Sequence, residues 1–411
     1  MIDRRTLGMV AGTGLLALAM PVGLSAPAAA QETVKVGLIA PLSGPWARQG
    51  ELMEKGARLA IADINAAGGI ASLGGAKLEL VVHDAGDSAE KAKNAAQRMV
   101  SQDKGLVGAT GAGLSSFTLA VTEVTERAGI PFLTLSYSDQ ITDRGFRYVF
   151  QTSPTGGAQA RGALPALLDL AESATGERPD TVGVVMDNTA SPVSFTKPMR
   201  EGGFDQLGLK LVVDETFTPP LSDATALVQR VRSTRPDILL LLPTSVPDDK
   251  LILEKLNEFG LGKGRIPLVS NGAHMGTPEL LTNVGPELLE GVMIIVANWG
   301  AKGQEEIIAR FKEATGEPWM TQDSISSYGD MWIFKEALEA AGSADPEKVA
   351  EAIRTMDTTE GPAKVAEAIR TMDTTEGPAK YYPGGRVAFE ANGRRSGAAL
   401  TIVQWQDGVP V

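Results

Sequence analysis

The sequence predicts an α/β protein with parallel sheets flanked by helices, and three observations carry that reading. Strand-like and helix-like segments alternate along most of the 411 residues, which is the pattern of βα units. The strands are too many for one sheet of ordinary width, so two smaller sheets in two lobes are expected. The opening is itself a strand–loop–helix unit. An apolar run over 34–40 stops at Pro41, Ser43, Gly44 and Pro45, and a helix with apolar i, i+3, i+4 spacing follows, ending at Gly68 and Gly69.

The remaining elements follow in order. Strands are expected at 78–83, 105–109, 131–134, 181–186, 209–216, 237–242, 266–270 and 292–297. Helix-periodic stretches occupy 89–102, 116–127, 158–171, 223–232, 250–259 and 304–314. The tail, from Gly384 through Asn392 and Gly393 to Trp405, predicts a β-hairpin with an Asn-Gly turn. Asp84 predicts a turn, and Asp87, Ser88, Ala89 and Glu90 predict a helix-capping box.

Residues 1–30 read as a signal peptide. Arg4 and Arg5 give a positive start, 9–24 form an apolar stretch too short to span a membrane, and Ala28, Ala29 and Ala30 offer a small-residue cleavage site before Gln31. Arg4 and Arg5 also half-match a twin-arginine signal. There is no cysteine, which excludes a lipid-anchored N-terminal cysteine, disulfides, zinc–thiolate sites and a thiol nucleophile. A net charge of −12 disfavours nucleic acid or an anionic membrane as partner. His83 and His274 stand far apart without companions at metal-ligand spacing, so both read as solvated or satisfied histidines and no metal is expected. No cofactor-binding loop or nucleophile elbow is present.

The strongest site signal is the run Gly108 to Thr118, with Gly111 and Gly113 in the turn and Ser115 or Ser116 placed to cap the following helix. Free N–H groups at that helix start attract a carboxylate. An ordinary serine cap is the competing reading. The next strand and loop supply Ser136, Ser138 and Asp139. If the two strands are neighbours, their carboxyl ends deliver Ser115, Ser136 and Ser138 to one crevice.

The opening unit and these serine loops resemble the leucine/isoleucine/valine-binding family, type I periplasmic binding proteins that feed ABC importers. The resemblance spans essentially 33–411. It implies two Rossmann-like lobes joined by a three-crossover hinge, with crossings near 151–154, near 295–298 and within 345–385. The first lobe would then hold 31–152 plus about 297–348, and the second 153–296 plus about 381–411. It also implies a periplasmic, monomeric protein with a membrane permease as partner, a small carboxylate-bearing solute as ligand, and no catalysis, cofactor, nucleic acid or membrane insertion. Branched-chain or related amino acids head the ligand classes, followed by aromatic or aliphatic carboxylic acids and by amides. A ligand-sensing module and an exported hydrolase are the readings from other classes.

By this resemblance, Ser115 and the N–H groups near Ser116 hold the carboxylate, the Ser136 carbonyl accepts from an ammonium, and Ser138 binds both. Trp46 lines the side-chain pocket, with an exposed or packing tryptophan as the competing reading, and Tyr328 opens a first-lobe helix, where core packing competes with ligand contact and leads it. The second half departs from the family pattern. No tyrosine follows Asp187, the strand end at Thr244 lacks an aromatic, and Asn271 stands where a carboxylate usually pairs with the ammonium. Either the ligand has no α-ammonium or another acid such as Asp323 supplies the charge.

One feature belongs to this chain alone. Residues 349–364 recur without a change as 365–380. Two short copies do not make a solenoid, and the family pattern has one helix here, so a tandem duplication is the reading.

Overall fold

The computed structural model describes residues 33–300, 304–356 and 378–411. The first sheet contains β1 (Thr33–Ala40), β2 (Lys77–Asp84), β3 (Leu106–Gly111), β4 (Phe132–Thr134) and β5 (Val149–Gln151). Its order is β2-β1-β3-β4-β5, all parallel. The second contains β6 (Thr181–Asp187), β7 (Lys210–Phe217), β8 (Ile238–Leu242), β9 (Leu268–Asn271), β10 (Met293–Val296), β11 (Thr401–Gln406) and β12 (Val409–Pro410). Its order is β12-β11-β10-β9-β8-β6-β7, with the last two strands in sequence antiparallel. In both sheets the order reverses beside the first strand, leaving a crevice beyond the strand ends where α/β folds take ligands.

The main helices of the first part are α1 (Ala47–Ala66), α2 (Ala89–Gln102), α3 (Ser115–Ala128), α4 (Gly156–Thr175) and α5 (Ala190–Pro198). They are followed by α6 (Thr225–Thr234), α7 (Val246–Glu258), α8 (Glu305–Thr315), α9 (Gln322–Ala341) and α10 (Pro346–Arg354). Helices on both faces bury the strands twice over, which is why β8 is apolar at every position. Its Leu239 and Leu241 join one core and Ile238, Leu240 and Leu242 the other. The first sheet divides likewise, with Val36 and Leu38 on the α1/α9 side and Ile39 on the α2/α3 side. Gly108 lets α9 lie flat on that sheet: a Cβ there would stand 2.2 Å from the Phe334 ring. The Ser88 side chain caps α2 through Lys91 N at 3.2 Å.

Three expectations are corrected. β5 is missing from the sequence reading because three residues show no periodicity. The tail is not one long hairpin. Asn392 and Gly393 do turn the chain, but only across a short bridge between Phe389 and Arg395, and β11 pairs instead with β10 and β12. The last crossing also lies later than 345–385. Tyr381, Tyr382 and Val387 sit in the first-sheet core, and Gln151 N donates to the Gly393 carbonyl at 2.8 Å. The cause is chemical: the Tyr382 hydroxyl donates to buried Asp330 at 2.6 Å, which anchors this stretch to α9.

Val349 and Ile353 of the first repeat copy are fully buried in that core, and Met356 packs against it. Val365, Ile369 and Met372 of the second copy lie outside the described residues.

Candidate functional site

A cavity opens where the strand ends of the two sheets meet. Water-sized spheres can be centred over about 50 Å³ of it. The first sheet contributes Gly113, Leu114 and Ser115 after β3, and Leu135, Ser136 and Tyr137 after β4. The second contributes Thr189 and Ser191 after β6, Thr244 after β8, and Asn271 to His274 at the end of β9. Gln49 of α1 and Gln322 and Asp323 of α9 complete the wall.

The Gly111, Ala112 and Gly113 turn has three successive positive φ angles of 116°, 64° and 70°. For Ala112 this is a strained conformation, held by its N–H donating to the Ile39 carbonyl at 2.5 Å. The turn places Leu114, not a serine, at the cap of α3, and no side chain caps that helix. The serine cap expected from sequence is thus replaced by a bare helix start inside the cavity. Ser115 is the first helical residue, and its Oγ accepts from Tyr137 N at 3.1 Å and Ser138 N at 3.0 Å. With both lone pairs engaged, its proton is left to donate.

Ser136 lines the cavity, but its hydroxyl is held by Thr118 at 2.7 Å and the Gly113 carbonyl at 2.9 Å. Its carbonyl oxygen already accepts from Gln151 Nε2 at 2.7 Å. Ser138 turns its Oγ to its own 3₁₀ turn, accepting from Gln140 N at 3.3 Å, and borders a neighbouring groove with Ser116. Ser116 accepts from Ala190 N at 3.2 Å, linking the two sheets' layers. Trp46 is buried at the start of α1, edge-on to Phe117 at 5.5 Å, with Nε1 donating to the Thr244 carbonyl at 3.0 Å. Tyr328 falls inside α9 rather than opening it. It packs on Tyr381 and donates to Asp63 at 2.7 Å, so it belongs to the core and not to the cavity.

In the second lobe, Asn271 Nδ2 donates to Gln159 at 2.7 Å and to the Ile295 carbonyl at 3.2 Å. Thr244 Oγ1 donates to Asp187 at 2.6 Å. Burial raises the Asp187 carboxyl despite that bond. Behind it, burial and then the charges of Asp248 and Asp187 push Asp249 well above the usual carboxylate range. His274 is no solvated residue but a cavity wall, and burial lowers it to about 4, keeping it neutral. Its Nε2 lies 3.2 Å from Asp249 without hydrogen-bond alignment, and a neutral imidazole forms no ion pair there.

Sequence reasoning offers Asp323 as a candidate acid but does not find Gln322, and both stand in the wall. Gln322, on the cavity wall, accepts at Oε1 from the Tyr137 hydroxyl at 2.5 Å and from Ala297 N at 2.7 Å. Asp323 is 3 % exposed, and burial raises it to about 7. Among the described residues, no lysine or arginine lines the cavity, and no cluster of three potential metal ligands occurs.

Two lobes closing on a polar cleft define a solute-binding architecture, and comparison with known proteins places it. The periplasmic binding protein family model matches residues 33–409, and the chain belongs to that family. The Leu/Ile/Val-binding protein homolog 8 of Brucella suis is 26% identical over 96% of this chain and 94% of its own. Similar solved structures include the leucine-binding protein LivK of Thermotoga maritima, with a TM-score of 0.74, 21% identity, and coverage of 92% of this chain and 97% of that one. LivJ of Streptococcus pneumoniae, in complex with isoleucine, gives 0.75 at 19% identity, covering 92% and 98%. A solute-binding protein of Rhodopseudomonas palustris in complex with 3,4-dihydroxybenzoic acid gives 0.73 at 20% identity, covering 92% and 96%. The fold is that of the type I periplasmic binding proteins.

Proposed function

We propose that this chain is the solute-binding subunit of an ABC importer. It closes two lobes around a compact carboxylate-bearing solute, hands it to a membrane permease, and breaks no bond. The observation that carries the reading is the uncapped start of α3, where Ser115 keeps its proton free to donate. Helix N–H groups and a hydroxyl aimed into a cleft suit a carboxylate. Branched-chain or related amino acids lead the ligand classes, as the names of the Brucella and Thermotoga relatives suggest. A second reading, aromatic carboxylic acids, is favoured by Asn271 standing in place of an acid.

Residues 1–30 act in this reading as a signal peptide cleaved after Ala30, delivering a monomer to the periplasm. Among the described residues, no helix is long and apolar enough to cross a membrane. N-terminal sequencing of the periplasmic protein tests the cleavage. Thermal-shift and calorimetric screening of the mature protein against amino acids, organic acids and amides tests the ligand class. Stabilisation by amides alone would remove the carboxylate reading.

A further inference from the structure

Three of the buried acids behave differently. Asp330 has both carboxylate oxygens satisfied, by Thr110 at 2.5 Å and Tyr382 at 2.6 Å. Asp249 has two unpartnered oxygens but lies behind the cavity wall, where burial and the neighbouring Asp248 and Asp187 charges disfavour its anion. Asp323 lines the cavity, is 3 % exposed, and has an Oδ2 with no hydrogen-bond partner. A buried unpaired acceptor facing a ligand space is costly unless the ligand supplies a donor.

We propose that Asp323 receives a cationic nitrogen of the ligand, so that the solute taken here carries an ammonium as well as a carboxylate. The inference rests on the carboxylate reading of the α3 start. Charge supports it: a purely anionic ligand would meet Asp323, with Asp187 behind Thr244, and among the described residues no lysine or arginine on the wall. Asn271 on the opposite wall carries no charge and donates its Nδ2 to Gln159 and the Ile295 carbonyl, and the Ser136 carbonyl already accepts from Gln151. Asp323 enters instead from the first turn of α9, where the helix dipole favours its anion. Tyr137 ties the two poles together. Its N–H donates to Ser115 and its hydroxyl donates to Gln322, the neighbour of Asp323.

The ionisable groups facing this space are Tyr137, which burial and the Asp323 charge hold protonated, and His274, which burial holds neutral; Asp187, Asp248 and Asp249 stand behind. Asp323, raised to about 7 by burial, is therefore the group on the cavity wall that titrates near neutrality. Binding of an ammonium requires its anion, so affinity rises with pH as Asp323 loses its proton.

The test is calorimetry on the mature protein with leucine, γ-aminobutyrate and isocaproate between pH 5.5 and 8. The first two share an ammonium and a carboxylate at different spacing, so the better of them reports where the nitrogen sits. The expected result is at least tenfold tighter binding of one amino acid than of isocaproate, a rise of roughly tenfold with pH, and loss of both effects in Asp323→Asn. Isocaproate bound as well as either amino acid, with flat pH dependence in the wild type, overturns the assignment while leaving the carboxylate reading intact. No binding of any of the three, nor of aromatic carboxylates, overturns both. The wild-type pH profile keeps the test valid should the variant fold poorly.

Discussion

Trp46 Nε1 donates to the Thr244 carbonyl across 3.0 Å, joining the start of α1 on the first sheet to the end of β8 on the second. The same indole packs edge-on against Phe117 of α3. One side chain thus packs on the helix that begins at Ser115 and links the lobes. Trp46→Phe keeps much of the aromatic packing and removes the bond. A lost neutral hydrogen bond of this kind costs about 1 kcal/mol. Calorimetry is expected to show roughly fivefold weaker binding, and X-ray scattering a more open protein. Unchanged affinity and scattering would show that the bond does not hold the lobes.

Ser115 and Ser138, equivalent in the sequence, part in the structure. Ser115→Ala removes a proposed ligand donor and is expected to weaken carboxylate binding by about 1–3 kcal/mol. It also strips the Tyr137 and Ser138 N–H groups of their acceptor, so some stability is lost as well. Ser138→Ala loses only the bond to Gln140 N in its own turn, and affinity should change little. Titration of both variants with the same ligand separates them; equal losses would mean that Ser138 reorients toward the ligand.

The uneven reach of the sequence has physical causes. Alternating βα segments are local, so the run of parallel strands shows plainly in periodicity. The Gly111 to Ser115 turn is also legible, because positive φ angles demand glycine at most of its positions. Asp323 stands in the sequence only as a candidate acid, and the wall it forms with Gln322 is not legible. These residues reach the cleft only because α9 docks beside β3, and its amphipathic pattern is erased by burial on nearly every side of its first three turns. Of the two readings open for His274, solvated or satisfied, burial and long-range packing select the buried one, and its place in the wall has no mark among its neighbours in sequence.

Asp330 provides a pH test of the core, distinct from the binding site. Burial raises it to about 6, even though Thr110 and Tyr382 donate to it. The unfolded value is near 3.9, so the folded state binds the extra proton and Asp330's contribution to stability falls as pH rises from about 4 to about 6. His274, lowered to about 4, acts in the opposite direction over about pH 4 to 6.5, so the total slope is a poor readout. The difference between Asp330→Asn and wild type isolates the carboxyl. Relative to wild type, the variant's melting temperature should rise between pH 4 and 6 and level off above. A constant difference across that range would show that Asp330 does not titrate in it.

Deleting 349–364 or deleting 365–380 yields the same chain, because the copies are identical. Either deletion restores the sequence of α10, with its buried Val349 and Ile353 positions and its Asp345 cap. What changes is the link from Met356 to Pro378, where Tyr381 and Tyr382 re-enter the first-sheet core. After deletion that link spans five residues, enough to reach about 20 Å when extended. Shortening a loop also lowers the entropy lost in closing it. Ligand affinity is therefore expected to stay unchanged, with a melting temperature equal to or slightly above that of the full chain, by calorimetry and thermal unfolding. A large fall in melting temperature would mean that both copies are packed, and that the first lobe has been rebuilt around the second.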